Sequence, residues 1–252
     1  MIDPAWYAEM ASFLGGFPEN YLVFDCETNG LAEHSPQTMP IQLGFCSVRD
    51  RVPTDEGAFL INWGLLPGID MDWFERSVRK TKQGMMERGI DWWITWELIR
   101  DQGLDPREVV PPFRQMLEEA QEHGYMYVGH NAYGFDRPIV ENATLTATGD
   151  AFRFDHRMFI DTGMIEKCHS AGMDIPKPGE RPIFRWYEYV RGEVLTGKWN
   201  LSLCARKYGL VEKHNLDLSL AHGADFDSRV THHLLEAYRE LADSYGAATV
   251  PF

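Results

Sequence analysis

Two acidic residues on one short stretch are the first candidates for chemistry in this sequence. Residues 21–30 begin with the apolar, β-favouring run YLVF, continue through Asp25 and Glu27, and end in the turn-forming residues TNG. Side chains alternate faces along a strand, so Asp25 and Glu27 point to the same side. Neighbouring carboxylates repel each other unless a cation lies between them or one keeps its proton. Hard divalent cations prefer oxygen ligands, so the pair predicts a metal site, although a strand running out into a solvated acidic turn has the same pattern.

Further candidates follow other predicted elements. Asp136 comes after the apolar run YMYVGHN, at or just before a predicted helix start, and Asp227 lies in the first turn of the last predicted helix. His222 precedes Asp227 at H-x4-D spacing. Each residue has a simpler explanation, because acids often cap helix starts and a histidine in a loop is often solvent-exposed. Ligands collect at the carboxyl ends of strands, however, so we expect Asp136, which follows a predicted strand, to lie near Asp25 and Glu27 there.

The elements that must position these residues predict an α/β fold. Strands are predicted within 21–30 and at 41–48, 58–63, 125–131 and 159–162, and helices at 5–15, within 70–123, at 135–147, after 162, at 200–208 and at 226–245. In the helical segment 70–123, Asp105 and Pro106 form a strong N-cap and first-turn signal. The three early strands have short links and predict an antiparallel meander. Together with the later strands they predict a mixed sheet flanked by helices.

Length and composition predict one domain over residues 1–252, with a helical segment at 70–123 and an insertion at 173–198. The chain has 252 residues, of which 44% are hydrophobic and 13% aromatic, enough to build a sizeable core. The four cysteines are far apart and fit free thiols in a reducing compartment. The first residues lack a basic, then apolar, leader pattern, and no window reaches the length of a membrane span. We therefore expect a soluble, cytoplasmic protein that does not contact a membrane.

The charge balance limits how the protein can bind nucleic acid. A net charge of -14 counts against a large phosphate-coating surface, but an enzyme that grips a short single-stranded end needs only a local positive groove. One locally basic run contains Arg76, Arg79, Lys80, Lys82 and Arg88. This run is a candidate nucleic-acid path, and a solvated helix face explains it equally well.

The motif order FDxET, then N-x3-FD, then H-x4-D resembles the DEDDh branch of the DnaQ-like 3'-5' exonucleases. The resemblance spans about residues 21–245 and includes the intermediate pieces PIQLG, FIDT and NLSLCARKYGL. The chain departs from the family pattern in four places. Asn29 stands where the family often has a second threonine, and the loop before PIQLG is somewhat long. One extra residue separates His130 from Asp136, and the segment 173–198 has no counterpart. None of these departures removes a predicted metal ligand.

The resemblance implies a ribonuclease H-like fold, with a mixed five-stranded sheet, and a set of site residues. It implies that two divalent cations, Mg²⁺ or Mn²⁺, are held by Asp25, Glu27, Asp136 and Asp227. His222 would be the general base, and we expect the adjacent carboxylates to raise its pKa. The residues implied to contact or support the substrate are Thr28 near the terminal 3'-OH, Leu31 against the last base, and Asn131, for which a turn-forming role is an equally good account.

The activity implied by the resemblance is hydrolysis of phosphodiester bonds at the 3' end of DNA, favoured as single-stranded, with release of nucleoside 5'-monophosphates. An exoribonuclease of the oligoribonuclease or RNase T type is the alternative within the same chemistry. A proofreading subunit that acts with a DNA polymerase is another. A non-catalytic binding module is disfavoured, because such a module has no need of mutually repelling acids.

Overall fold

A mixed five-stranded sheet lies at the centre of the structure, a computed structural model that describes residues 2–30, 37–194 and 199–249. The strands are β1 (Tyr21–Thr28), β2 (Pro40–Arg49), β3 (Val52–Leu60), β4 (Met126–Gly129) and β5 (Phe159–Asp161). They lie in the order β3-β2-β1-β4-β5, with β2 antiparallel to both of its neighbours. β4 runs parallel to β1, and β5 runs parallel to β4. The predicted mixed sheet, a meander followed by parallel strands, is confirmed.

Helices cover the sheet on both faces. Those in the described residues are α1 (Pro4–Leu14), α2 (Met71–Glu87), α3 (Trp96–Gln102), α4 (Pro106–Glu122), α5 (Asp136–Thr148), α6 (Thr162–Ser170), α7 (Ile183–Glu193), α8 (Leu201–Lys207), α9 (Leu210–His214) and α10 (Ala224–Thr249). Asp105 is the N-cap of α4, as the sequence indicates. The segment 173–198 contains α7, and its last four residues lie outside the described part of the chain. The division into one domain with an insertion stays a prediction.

The third strand begins earlier than the sequence suggests. We expected a strand at 58–63 and a loop before it, whereas β3 starts at Val52. Asp50 and Arg51 both have positive φ (48° and 67°), so they form a tight two-residue hairpin turn that pairs Arg49 with Val52. The first five residues of β3 are exposed and read VPTDE, with a proline and three polar side chains, so their composition resembles a loop although their backbone is paired. The prediction of this strand's bounds was wrong for that reason.

The two faces of β1 pack against different layers. Phe24 stacks on Phe154 with ring centroids 5.3 Å apart, within a buried aromatic cluster. On the opposite face, the hydroxyl of Tyr21 bonds Nδ1 of His232 (2.8 Å) and donates to Glu236 (3.1 Å), both on α10. Since residues 21, 23, 25 and 27 share a strand face, Asp25 and Glu27 point toward the layer that contains α10.

One buried acid away from this face is fully partnered. Glu166 on α6 accepts hydrogen bonds from the hydroxyls of Tyr7, Tyr208 and Tyr238, and it pairs with Lys207 at 2.8 Å. Burial opposes ionisation of Glu166, but Lys207 and the hydroxyl donors outweigh that cost and lower the pKa of its carboxyl. This cluster ties together α1, α6, α8 and α10.

A close backbone contact fixes the start of α10 on the sheet. A Cβ atom at Gly44 of β2 would lie 2.1 Å from the carbonyl carbon of Ala224, the first residue of α10. The amide of Ala224 also donates to Oε1 of Gln42, two residues earlier on β2 (2.9 Å). Gly44 is the cross-strand partner of Asp25. The absence of a side chain at Gly44 therefore lets the N-terminus of α10 approach the acidic end of β1.

We expect Gly44→Ala to destabilise the protein by about 1–3 kcal/mol or more, because the new methyl group would collide with backbone rather than with a flexible side chain. Thermal unfolding would measure this loss. Gly57→Ala on the next strand is the matched control, since its Cβ would lie 3.5 Å from Phe45, an ordinary contact. Equal melting temperatures for the two variants would contradict the close packing of α10 on β2.

Candidate active site and metal centre

Acids from three separate elements meet beyond the carboxyl end of β1. Asp25 and Glu27 lie on β1, Asp136 is the first residue of α5, and Asp227 is in the first turn of α10. The backbone N–H of Cys26 donates to Oδ1 of Asp136 at 2.9 Å, which fixes the start of α5 against β1. The sequence separates these residues by up to about two hundred positions, and the fold brings them to one cleft.

The cleft is a pocket of about 580 Å³ that contains nearly all of the predicted site residues. Ligand atoms of Glu27, His222 and Asp227 lie within 4.8 Å of one another. The predicted residues that line the pocket are Asp25, Glu27, Thr28, Asn131, Asp136, His222 and Asp227. Leu31 lies outside the described residues. The predicted convergence is thus present, and the roles of these residues stay predictions.

Burial and mutual repulsion disfavour the charged forms of the four acids. Burial, followed by the charges of Asp136, Asp227 and Glu27, raises the pKa of Asp25 well above its usual range. Burial and then Asp227 raise the pKa of Glu27 in the same way, against a lowering contribution from Trp92. For Asp136 and Asp227, burial is the main cause that raises each pKa to about 7.

The donor set fits divalent metal ions. All four acids supply oxygen ligands, and within the described residues no ion pair with Lys or Arg involves any of them. Glu166 differs from the four acids, because Lys207 and three hydroxyl donors surround its carboxylate. A buried acid away from the pocket is thus given an ion pair and hydrogen bonds. A cation among the four acids would relieve the repulsion that raises their pKa values.

His222 lies in the short loop before α10 with a left-handed backbone conformation (φ 66°). Its side chain is half-buried at the pocket, and burial lowers the pKa of its imidazole. Our expectation that adjacent carboxylates would raise this pKa was wrong, because the cost of burying the imidazolium dominates. The imidazole is therefore neutral near pH 7, the form that can accept a proton.

The substrate-side candidates have local structural contacts of their own. Thr28 is buried, and its hydroxyl donates to the carbonyl of Gly30. Asn131 has φ 70°, and its backbone N–H donates to Oδ1 of Asp161 at 2.8 Å. The turn-forming account of Asn131 is thus present in the structure, while its side chain still lines the pocket. His130 bonds Thr162 through Nδ1 (3.0 Å) and the carbonyl of Trp199 through Nε2 (2.7 Å), so both of its ring nitrogens have protein partners.

Sequence reasoning missed Trp92. Its indole N–H donates to Oε2 of Glu27 at 3.1 Å, and its side chain is completely buried. This hydrogen bond fixes the orientation of the Glu27 carboxylate and favours its charged form. Trp92 lies between α2 and α3, 65 positions from Glu27, outside any element or motif that the sequence connects with the acids. The doubled tryptophan at 92–93 is the only local signal.

Comparison with known proteins shows the fold. No protein-family model matches the chain, and no curated protein matches it. The structure of E. coli exonuclease I in complex with a dA16 oligonucleotide matches with a TM-score of 0.52 and 16% identity, over 91% of this chain and 43% of that chain. Another structure of exonuclease I gives 0.55 and 15%, over 91% and 44%. The zinc-bound E. coli exonuclease I complex with single-stranded DNA gives 0.50 and 16%, over 91% and 43%.

This chain therefore spans less than half the length of the exonuclease I chains it matches. At such low identity the likeness shows the fold, which is the ribonuclease H-like exonuclease fold that the sequence predicts. In the described part of the chain, no helix combines the length and apolar character needed to cross a bilayer.

The raised pKa values predict how pH and metal affect stability. A carboxyl whose pKa is about 7 in the folded protein and about 3.8 in the unfolded chain stabilises the fold fully below pH 4, and this contribution is lost as pH rises through 7. We expect the chelated protein to lose on the order of a few kcal/mol of unfolding free energy between pH 5 and 8. A divalent cation should restore stability at pH 8. Asp25→Asn should weaken both effects in thermal melts, and a chelated protein more stable at pH 8 than at pH 5 would contradict this account.

We expect Trp92→Phe to reduce metal affinity by about 10- to 100-fold, because it removes a hydrogen bond to a ligand while keeping an aromatic ring in the core. Titration of the metal-induced rise in melting temperature would measure the change. Trp63→Phe is the control, since the equally buried Trp63 donates to the backbone carbonyl of Pro40 and not to a carboxylate. Equal metal affinity in the Trp92 variant and the wild type would show that the indole does not orient Glu27.

Proposed function

We propose that the protein is a metal-dependent 3'-5' exonuclease that hydrolyses the terminal phosphodiester bond of single-stranded DNA and releases nucleoside 5'-monophosphates. The observation that carries this proposal is the convergence of four acids and one imidazole on a single pocket. The fold supports it, because solved structures with the same fold are exonuclease I bound to single-stranded DNA.

We assign Asp25, Glu27, Asp136 and Asp227 to two divalent cations, Mg²⁺ or Mn²⁺. When bound, such cations lower the pKa of a water molecule and stabilise negative charge on a leaving oxygen. The chain's own contribution is to hold the carboxylates rigidly. The contacts that do so are the Cys26 amide to Asp136, the Trp92 indole to Glu27, and the packing of α10 on Gly44.

His222 is the proposed general base. Its neutral imidazole accepts the proton that water loses as the water oxygen attacks phosphorus. The bond from phosphorus to the 3' oxygen of the preceding nucleotide then breaks, which leaves a new 3'-OH and a free 5'-monophosphate. The left-handed backbone of His222 and the close contact of Ala224 with β2 hold the imidazole beside Glu27 and Asp227.

The proposed contacts to the terminal nucleotide come from the rim of the same pocket. Thr28 and Asn131 line it, and Leu31 belongs to the same assignment although it lies outside the described residues. We propose single-stranded DNA as the substrate, with RNA as the alternative that the assay below decides. A further proposal is that the protein acts as a proofreading subunit of a DNA polymerase. Co-purification with a polymerase would test it.

The activity is tested with end-labelled single-stranded DNA, duplex DNA and single-stranded RNA, each with Mg²⁺, Mn²⁺ or EDTA. We expect stepwise shortening of single-stranded DNA from the 3' end, release of 5'-mononucleotides, and no reaction in EDTA. Asp25→Asn should lower turnover by at least about a hundredfold, because it removes a metal ligand. Activity that persists in EDTA would refute the mechanism, and shortening of RNA alone would replace DNA with RNA as the substrate.

His222→Ala should reduce kcat by about 10²- to 10⁴-fold while metal-dependent DNA binding is retained, as expected for loss of a general base. His123→Ala is the matched control, because His123 is exposed at the C-terminal end of α4 and bonds only the local carbonyl of Glu119. Single-turnover rates and oligonucleotide affinity would be measured for both. Unchanged turnover in His222→Ala would refute the assignment.

A further inference from the structure

A second groove lies next to the pocket and is not used by the proposed chemistry. It has a volume of about 570 Å³ and lies between the turn after β1 and one face of α2. We call it the α2 groove. Its described lining includes Arg76, Lys80 and Gly84 from α2, Arg88 just after the end of that helix, and Asn29 and Thr38 from the other side.

Arg76 and Lys80 are four positions apart on α2, and Arg88, the residue just after its end, is eight positions further, so all three lie along one side of the helix with Gly84 between Lys80 and Arg88. At 1.5 Å per residue, they span about 18 Å. All three are exposed, and within the described residues none makes a side-chain hydrogen bond or an ion pair. Arg79, on a different face, is instead paired with Glu75 (2.8 Å) and Glu97 (2.7 Å). These three cations without acidic partners therefore make the surface locally basic, although the net charge of the chain is -14.

The α2 groove adjoins the pocket of the four acids. Thr81 lines both cavities, and its hydroxyl donates to the carbonyl of Asn29 at 2.7 Å. The side-chain amide of Asn29 donates to the hydroxyl of Ser77, one turn earlier on α2 (2.9 Å). Asn29 follows Glu27 by two residues, so the helix that carries the cations is attached directly to the acidic end of β1.

Two further features suit a nucleic-acid strand. Gly84 begins the last turn of α2, where glycine disfavours the helix, and the nearest described atom that a Cβ there would meet belongs to Arg88, at 3.8 Å. Glycine therefore keeps the groove open between Lys80 and Arg88 and is not required by close packing. Trp73 also lines the groove, and its partly exposed indole offers a surface on which a base can stack.

We propose that the α2 groove binds the sugar–phosphate backbone of the single strand whose 3' end lies in the pocket of the four acids. This inference rests on the proposed exonuclease function and adds to it the path of the strand beyond the terminal nucleotide. The cations contact phosphates that are not hydrolysed, so they hold a long substrate between successive cleavages.

Binding of 5'-labelled dT20 and rU20 by the full chain, measured by fluorescence anisotropy at several salt concentrations, tests this path. The triple variant Arg76→Gln, Lys80→Gln, Arg88→Gln should bind at least about tenfold more weakly, and the slope of log affinity against log salt should fall by about 2. Lys82→Gln is the matched control for Lys80→Gln, because Lys82 is on the same helix and lines a different surface. It should bind within about twofold of the wild type.

Gly84→Glu provides a second measurement should the triple variant fail to fold. Compared with Gly84→Ala, it should weaken dT20 binding, because it places a negative charge inside the groove. Hydrolysis of dT20 relative to a dinucleotide should fall in both groove variants. Wild-type affinity in the triple variant, or an equal loss in Lys82→Gln, would overturn the proposal.

The two proposals fail in different ways. A wild-type protein that binds dT20 but does not hydrolyse it, with binding lost in the triple variant, overturns the exonuclease and keeps the α2 groove. Hydrolysis by the wild type with unchanged binding and length preference in the triple variant overturns the α2 groove and keeps the exonuclease.

Discussion

The repulsion among four neighbouring carboxylates is the interaction on which the rest of this structure depends. The charged forms of these carboxylates repel one another and lose hydration on burial. Both effects raise the pKa values of Asp25, Glu27, Asp136 and Asp227. The fold holds the four acids in place with a stiff central strand, a helix start bonded to that strand, and a second helix packed on Gly44. The free energy of core packing is thus used to keep charges together. Such an arrangement costs stability in the absence of a cation, and a bound cation would offset that cost.

The fully partnered Glu166 shows that this arrangement is specific to the pocket. Glu166 is as deeply placed as any of the four acids, yet three tyrosine hydroxyls and Lys207 satisfy it, and its pKa is lowered. The basic residues of α2 show a similar contrast. The cations of the α2 groove lack acidic partners, whereas Arg79 on the same helix has two. Among the described residues, acidic side chains without ion pairs line one cavity and basic side chains without ion pairs line the adjoining one. This distribution suits the proposed binding of a polyanion whose end contacts metal ions.

Much of this could be predicted from the sequence, and the parts that could not have physical reasons. The shared face of Asp25 and Glu27 follows from strand alternation, and the position of Asp227 in the first turn of the last helix follows from the helical pattern, whereas the grouping of Asp227 with the other acids followed only from the family resemblance. The bounds of β3 did not follow, because a backbone turn at positive φ is not visible in a polar composition. The contact of Trp92 with Glu27 could not be predicted either, because this hydrogen bond depends on the path of the chain between α2 and α3. The direction of the His222 pKa shift depends on the balance between burial and nearby charge, and only coordinates reveal that balance.

The contact between Gly44 and Ala224 also has a consequence for the order of events during synthesis. Strand β2 emerges from the ribosome early, whereas the helix that docks on it, with His222 and Asp227 at its start, is made after all the other described elements. A nascent chain that ends before residue 224 contains all five strands of the sheet but lacks Asp227 and the helix that packs beside His222. Docking of the last helix is therefore the step that brings Asp227 to the other three acids, so a chain without that helix would lack the complete proposed site.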